Sequence, residues 1–260
     1  MNNSIKRDFD IIIGLHSIEK ALKNPERQNL KIYATAEGLK EFKKRSSLSN
    51  EQINSVDQQI ISNDNFHNIA KRLFDQLQYR LGRVPSNILL TCSPLITKDL
   101  PWLYQKCSSE NNLRLIALDQ VTDTHNGAAI LRTSAFYGVD ALIISQKGNF
   151  GFSPSFYRTS SGSTEIVTVV ICYNLSKTLR KLDELGVSVI GLSEHYDGSF
   201  KPEQVTDKSS CIVLGSEDRG LSNAVERCIR YKLSLEPAKE FKTLNVSVAA
   251  AISMEKVFNS

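Results

Sequence analysis

The sequence predicts an α/β protein whose larger part is built on a mostly parallel sheet. Three observations carry this. Residues 113–260 hold six short, nearly continuous apolar runs. Helical segments separate most of these runs. Residues 1–97 repeat the strand–helix alternation on a smaller scale. Strands buried on both faces read as continuous apolar runs, and parallel neighbours need helical crossovers between them.

In chain order, "FDIIIG" and "LKIYAT" read as strands, with "HSIEKALK" between them as a helix. "AEGLKEFKKR" follows as a second helix and "QQIIS" as a third strand. "NDNFHNIAKRLFDQL" places Phe66, Ile69, Leu73 and Leu77 at helical spacing, with Asn63 or Asp64 available as a cap. "SNILLTC" closes this front unit as a strand. Residues 98–112, "KDLPWLYQKCSSENN", read as a short helix running into a polar linker, so the boundary falls there. The second unit's strands are "RLIALD" (114–119), "ALIIS" (141–145), "IVTVVIC" (166–172), "VSVIGL" (187–192), "CIVLG" (211–215) and "KLSL" (232–235). A helix at 244–258 ends it.

A length of 260 residues suits one large domain or two small ones. No apolar run approaches the ~20 residues that span a bilayer. "MNNSIKRD" lacks the long apolar region of a signal peptide. The expectation is a soluble cytoplasmic protein with no membrane partner. The five cysteines form no CxxC pair and the four histidines are scattered, so buried thiols are expected and a metal site is not. Net charge is +4. Residues 1–112 carry 16 Lys+Arg against 12 Asp+Glu, and the remainder carries 16 of each. The densest basic run is "KEFKKR", with Lys40, Lys43, Lys44 and Arg45. It reads either as a solvated helix face or as a phosphate-facing patch.

Three loops follow strand ends in the second unit, where open α/β sheets bind ligands. In "LDQVTDTHNGAAILRTS", Asp123 or Thr124 can cap a helix in which Arg132 is the lone charge. The charge spacing predicts a mostly buried helix. Arg132 is then either a snorkelling side chain or a cation needing a carboxylate or phosphate partner. In "CIVLGSEDRGLSNAVERC", Gly215 and Gly220 flank a strand-to-helix turn, with Ser222 as cap. Glu217 is either a surface carboxylate or the partner Arg132 needs. In "LSLEPAKEFKTLNVSVAAAISMEKVF", the last helix opens with Ser247, Ala249, Ala250, Ala251 and Ser253. That small face suits tight core packing, a dimer seam or a threaded chain.

Taken together, the three loops resemble the SpoU (TrmH-type) family of RNA ribose 2′-O-methyltransferases, within the SPOUT superfamily. "LDQVTDTHNGAAILRTSAFYGVDALIIS", "VLGSEDRGLS" and "TLNVSVAAAI" are similar to that family's three motifs, in order, and "FYRTSSGSTEIVTVV" to the stretch the family places after its second strand. Residues 8–97 are similar, more loosely, to the ribosomal-protein-like RNA-binding domain many members carry in front. The resemblance implies a C-terminal trefoil-knotted methyltransferase domain, a homodimer, S-adenosylmethionine as donor and a structured rRNA or tRNA as substrate. It implies that the donor lies against Gly215, Leu235, Leu244 and Thr243. It implies catalytic or supporting roles for Asn126, Arg132, Glu217 and Asn245, with Glu217 and Asn126 holding the Arg132 guanidinium. Thr124, Ala128, Asp218 and Lys239 depart from the family pattern, as do Glu236 and Pro237 beside Lys239. Two alternatives stand beside this reading. One is a catalytically inactive RNA-binding module on the same fold, separated by donor binding. The other is a base methyltransferase, against which the Asn126/Arg132 pair speaks.

Overall fold

The computed structural model describes residues 8–193, 205, 208–235 and 243–259. The chain forms two compact units. The first comprises the residues up to Ile96 together with Phe152–Glu165; the second comprises Thr97–Gly151 and the residues from Ile166 onward.

The first unit runs β1 (Asp10–Ile13), α1 (Leu15–Lys23), β2 (Lys31–Ala34), α2 (Ala36–Arg45), α3 (Asn50–Asn54), β3 (Asp57–Ile60), α4 (Asn63–Gln76) and β4 (Ile88–Cys92). The second runs α5 (Leu100–Ser109), β5 (Arg114–Leu118), α6 (Thr124–Phe136) and β6 (Ala141–Ser145). After α7 (Pro154–Ser160), which belongs to the first unit, it continues with β7 (Thr168–Cys172), α8 (Leu175–Glu184) and β8 (Ser188–Ser193). It ends with β9 (Ser210–Leu214), α9 (Asn223–Glu226), β10 (Tyr231–Ser234) and α10 (Val246–Phe258).

In the first unit the sheet order is β1-β4-β2-β3. β4 is antiparallel to both neighbours and β2 is parallel to β3. All five residues of β4 are buried because both faces are covered. Ile18 of α1 and Phe42 of α2 pack on one side, and Phe66 and Leu73 of α4 on the other. Helix α4 starts after Ser62, whose side chain makes no capping bond, so Asn63 and Asp64 lie inside the first turn. In the basic run, Lys40, Lys44 and Arg45 are exposed, Arg45 pairs with Glu41 at 3.1 Å, and Lys43 donates to Asn54 at 2.7 Å.

A buried ionic cluster ties residues 152–165 into this unit. Arg27, 4 % exposed, donates to Asp10 at 2.9 Å and as a two-nitrogen fork to Glu165 at 2.7 and 3.0 Å. A further bond reaches the Ser93 carbonyl at 2.8 Å. The Tyr157 hydroxyl and the Leu95 N–H both donate to Asp10. Burial and the Asp10 charge hold the Tyr157 hydroxyl protonated well beyond its ordinary range. Burial opposes the charge on Arg27, but the Glu165 hydrogen bonds together with the charge interactions with Tyr157 and Glu165 raise its pKa. The bonds are the compensation that buried charges require.

The second unit's sheet is parallel throughout, in the order β10-β8-β9-β5-β6-β7. Leu115 and Ala117 of β5 face a core shared with Leu103 and Cys107 of α5 and Leu179 and Leu182 of α8. Ile116 and Leu118 point to the opposite face and are equally inaccessible. Both faces are therefore covered, as the continuous apolar runs predict. The stretch read as a linker, 98–112, is instead part of this unit. Lys98 bridges to Val170 at its start, and α5 buries Leu103 and Cys107 in the core. Cys92, Cys107, Cys172 and Cys211 are buried and Cys228 is partly so. Burial pushes the Cys92 thiol up to about 12 and Cys107 to about 11.

Helices α6 and α10 pack against each other, and α10 against β9. Arg114 fastens their C-terminal ends by donating to the carbonyls of Tyr137 and Phe258, each at 2.7 Å. A cation at two helix C-termini also meets both dipoles favourably. Small residues allow the helices to approach. Gly127 and Ala128 of α6 and Ala249, Ala250 and Ser253 of α10 are all buried.

Candidate active site

The three loops converge on one chain of side-chain amides. Asp123 caps α6 by accepting the Asn126 N–H at 2.8 Å, which sets Asn126 in the first helical turn. Asn245 caps α10 by accepting the Ser247 N–H at 2.9 Å and its hydroxyl at 2.6 Å. The Asn245 amide then donates to the Asn126 side-chain oxygen at 3.1 Å. The Asn126 amide in turn donates to Glu217 Oε1. Asn126 therefore has one orientation, fixed from both ends by residues 91 and 119 positions away.

Glu217 is presented by a tight turn. Ser216 and Gly220 exchange backbone hydrogen bonds at 3.0 and 2.9 Å. A side chain on Gly215 would place its Cβ 2.1 Å from the Gly220 carbonyl carbon, so this closure needs glycine at 215. Gly220 has φ +64°. Asp119, 6 % exposed at the end of β5, accepts the Ser222 N–H at 2.7 Å and fastens the turn to the central strand. Its place directly after an apolar strand was the available sequence signal for this role. Ser222 begins α9, a single turn rather than a full helix.

Arg132 is exposed, in line with the snorkelling alternative, and Glu217 bonds Asn126 instead of holding the guanidinium. The reason is helical geometry. Six residues along an α-helix turn a side chain by ~240° and move it ~9 Å. Arg132 thus leaves the face that carries Asn126. Helix α6 is poor in charge because its outer face is built from Ala129, Thr133 and Phe136, with Phe136 83 % exposed. On α10 Ala249, Ala250 and Ser253 face inward, while Val248 and Ile252, and Leu244 just before the helix, stay 38–50 % exposed.

The residues assigned to the donor lie at strand ends. Gly215 follows β9, and Leu235 follows β10. These strands flank β8 in parallel, so their C-terminal ends form one rim. Thr243 and Leu244 are exposed immediately before the Asn245 cap. Glu236, Pro237 and Lys239 lie outside the described residues. At the first motif, Gly127 is required where it stands, because a Cβ there would lie 2.2 Å from the Phe150 ring. Ala128 beside it is fully buried. Among the described residues, no group of three His, Cys, Asp or Glu side chains is placed to share a metal ion.

A model of the SpoU rRNA Methylase family matches residues 114–255, which is more than half of the chain and spans all three loops. The chain belongs to the SpoU rRNA methylase family. A Staphylococcus aureus (strain COL) relative assigned to the TrmH family of tRNA/rRNA methyltransferases is 28 % identical over 254 residues, covering 95 % of each chain. The fold is shared with the SpoU methyltransferase AviRb from Streptomyces viridochromogenes, solved in complex with AdoMet. The TM-score is 0.73 at 17 % identity, over 99 % of this chain and 93 % of that one. An AdoMet-bound rRNA methyltransferase from Sinorhizobium meliloti gives a TM-score of 0.72 at 16 % identity, over 96 % and 87 %. Both coverages take in the front unit as well as the SpoU domain.

Proposed function

We propose that this SpoU-family protein transfers a methyl group from S-adenosylmethionine to a ribose 2′-hydroxyl of a structured RNA, tRNA or rRNA, in the cytoplasm. The observation that carries this is the Asn245–Asn126–Glu217 chain, which joins the three family motifs at one point. The donor residues fit the cofactor. Gly215 lets the turn close tightly at the rim, and Leu235 and the half-exposed Leu244 offer apolar side chains for a purine face. Thr243 borders Leu244 and completes that wall.

S-adenosylmethionine supplies an activated methyl on a sulfonium, so the task left to the protein is the hydroxyl. A ribose 2′-OH is a poor nucleophile and must be aligned and relieved of its proton. A bound donor would supply the methyl carbon with its sulfur as leaving group, and the 2′-hydroxyl proton would pass to a phosphate oxygen or water. Arg132 holds the adjacent phosphate and stabilises charge developing on the 2′-oxygen. It does not abstract the proton, since a guanidinium pKa exceeds ~12. Asn126, Glu217 and Asn245 hold the three loops in register around the reacting groups.

The protein works as a homodimer through the outer face of α6 and α10. Phe136, one turn from Arg132 on α6, and Val248 and Ile252 on α10 are exposed apolar side chains. A second copy seated there withdraws Arg132 from water, where its field is stronger. The α10 path supports a trefoil knot. β10 lies at the sheet edge, yet α10 packs on α6, which follows β5 three strands away. The first unit, with Lys40, Lys44 and Arg45 exposed, binds the RNA.

Arg132→Ala tests the assignment. Methyl transfer to RNA should fall at least ~100-fold, the scale for losing a donor to a developing oxyanion. Donor affinity by isothermal titration should stay within about twofold. Normal turnover in this variant contradicts the role. Absence of donor binding to the unaltered protein favours an inactive RNA-binding module instead.

A further inference from the structure

A pocket of about 590 Å³ opens on the far side of the same β9 turn. It lies across the C-terminal ends of β5, β6, β7 and β9. Ser216, Asp218 and Arg219 face it, while Glu217 between them points to Asn126. Its size is within the ~300–1,000 Å³ of small-ligand sites. Its other walls come from Lys147 in the loop after β6, from Tyr173 after β7, and from the start of α8. The Tyr173 ring is 85 % exposed, directly after a strand whose last residue, Cys172, is fully buried.

We propose that this pocket binds an RNA nucleotide flanking the one that is methylated. The inference rests on RNA being the substrate. The exposed Tyr173 ring is a platform for an unstacked base, which is how proteins hold single-stranded RNA. Lys147 and Arg219 are exposed cations on the same rim and meet the phosphate. Helix α8 is ten residues long and presents its N-terminus, capped by Asn174, to the same space, adding partial positive charge. Asp119 also lines the pocket, 6 % exposed, with its carboxylate turned to the Ser222 N–H at 2.7 Å. Asp218 is the exposed carboxylate of the rim and accepts from a base amino group, favouring cytosine or adenine over uracil. Sheet order gives the layout. Donor residues stand at the β9 and β10 ends, the amide chain at β9 and β5, and the pocket from β9 across to β7. A strand crossing the sheet end meets both in turn.

The test measures affinity for a fluorescent 12-nucleotide oligocytidylate RNA by anisotropy at several salt concentrations. Transfer to total RNA from cells lacking the protein is measured in parallel. Tyr173→Ala should weaken oligonucleotide binding about 5- to 100-fold and raise the KM for RNA, while donor affinity is unchanged. Tyr173→Phe should restore both. Lys147→Gln and Arg219→Gln should each lower the salt slope by about one. Unchanged affinity and slope in these variants overturn the pocket, even if the unaltered protein methylates RNA. If it does not methylate RNA, the proposed function fails, and the anisotropy series still decides the pocket. Displacement of the oligonucleotide by micromolar 5′-CMP reassigns the pocket to a free nucleotide and overturns the RNA proposal.

Discussion

Arg27 is held by Asp10 and Glu165, both buried with it. Removing one partner of such a set leaves carboxylates uncompensated in the interior. Arg27→Ala should therefore destabilise the protein by about 3–5 kcal/mol in urea unfolding. Arg27→Lys should recover only part, because an ammonium lacks the fork that engages both Glu165 oxygens. A loss below about 1 kcal/mol in Arg27→Ala contradicts this role. Arg27 carried no local signal, since its partners lie 17 and 138 positions away. Arg132 was open to two readings, a snorkelling surface side chain or a paired buried cation, and its exposure fits the first. A charge-poor helix was read as buried, and its outer face turned out to be alanine, threonine and phenylalanine. The resemblance pointed to Asn126, Glu217 and Asn245, but their pairing was not legible, because it depends on how distant loops meet.

At the level of elements, strand positions were legible, most clearly where strands buried on both faces, such as β4, β5 and β9, leave unbroken apolar runs. What escaped was shared packing. The small residues of α10 were open to three readings, and tight packing inside the chain is the one found for Ala249, Ala250 and Ser253. The same closeness governs the start of α6. Gly127→Ala would drive a methyl to 2.2 Å from the Phe150 ring and shift the turn that carries Asn126. Overpacking of this kind costs about 1–3 kcal/mol. The variant should melt lower and transfer methyl more slowly. Phe150→Leu in the same chain should recover part of both by vacating space. A Gly127→Ala protein with unchanged melting temperature and rate shows that the helix start tolerates the shift.

For the whole molecule, the division into a smaller front unit and a larger α/β unit was visible in the sequence, but its borders were not. Residues 152–165 return to the first unit through the Arg27–Glu165 and Tyr157–Asp10 contacts, which no local pattern announces. The proposed dimer is also a property of this scale. Phe136→Asp and Ile252→Asp should each give a folded monomer by light scattering, with methyl transfer lost because Arg132 is left in water. An unaltered protein that is monomeric and active removes the dimer from the account. The central claim is ribose methylation dependent on Arg132. It is tested by incubating the protein with labelled S-adenosylmethionine and RNA from cells lacking it, then hydrolysing the RNA in alkali. Label in alkali-resistant dinucleotides, present with the unaltered protein and absent with Arg132→Ala, is the predicted result. Label recovered in a base-methylated nucleotide released as a monomer would contradict it.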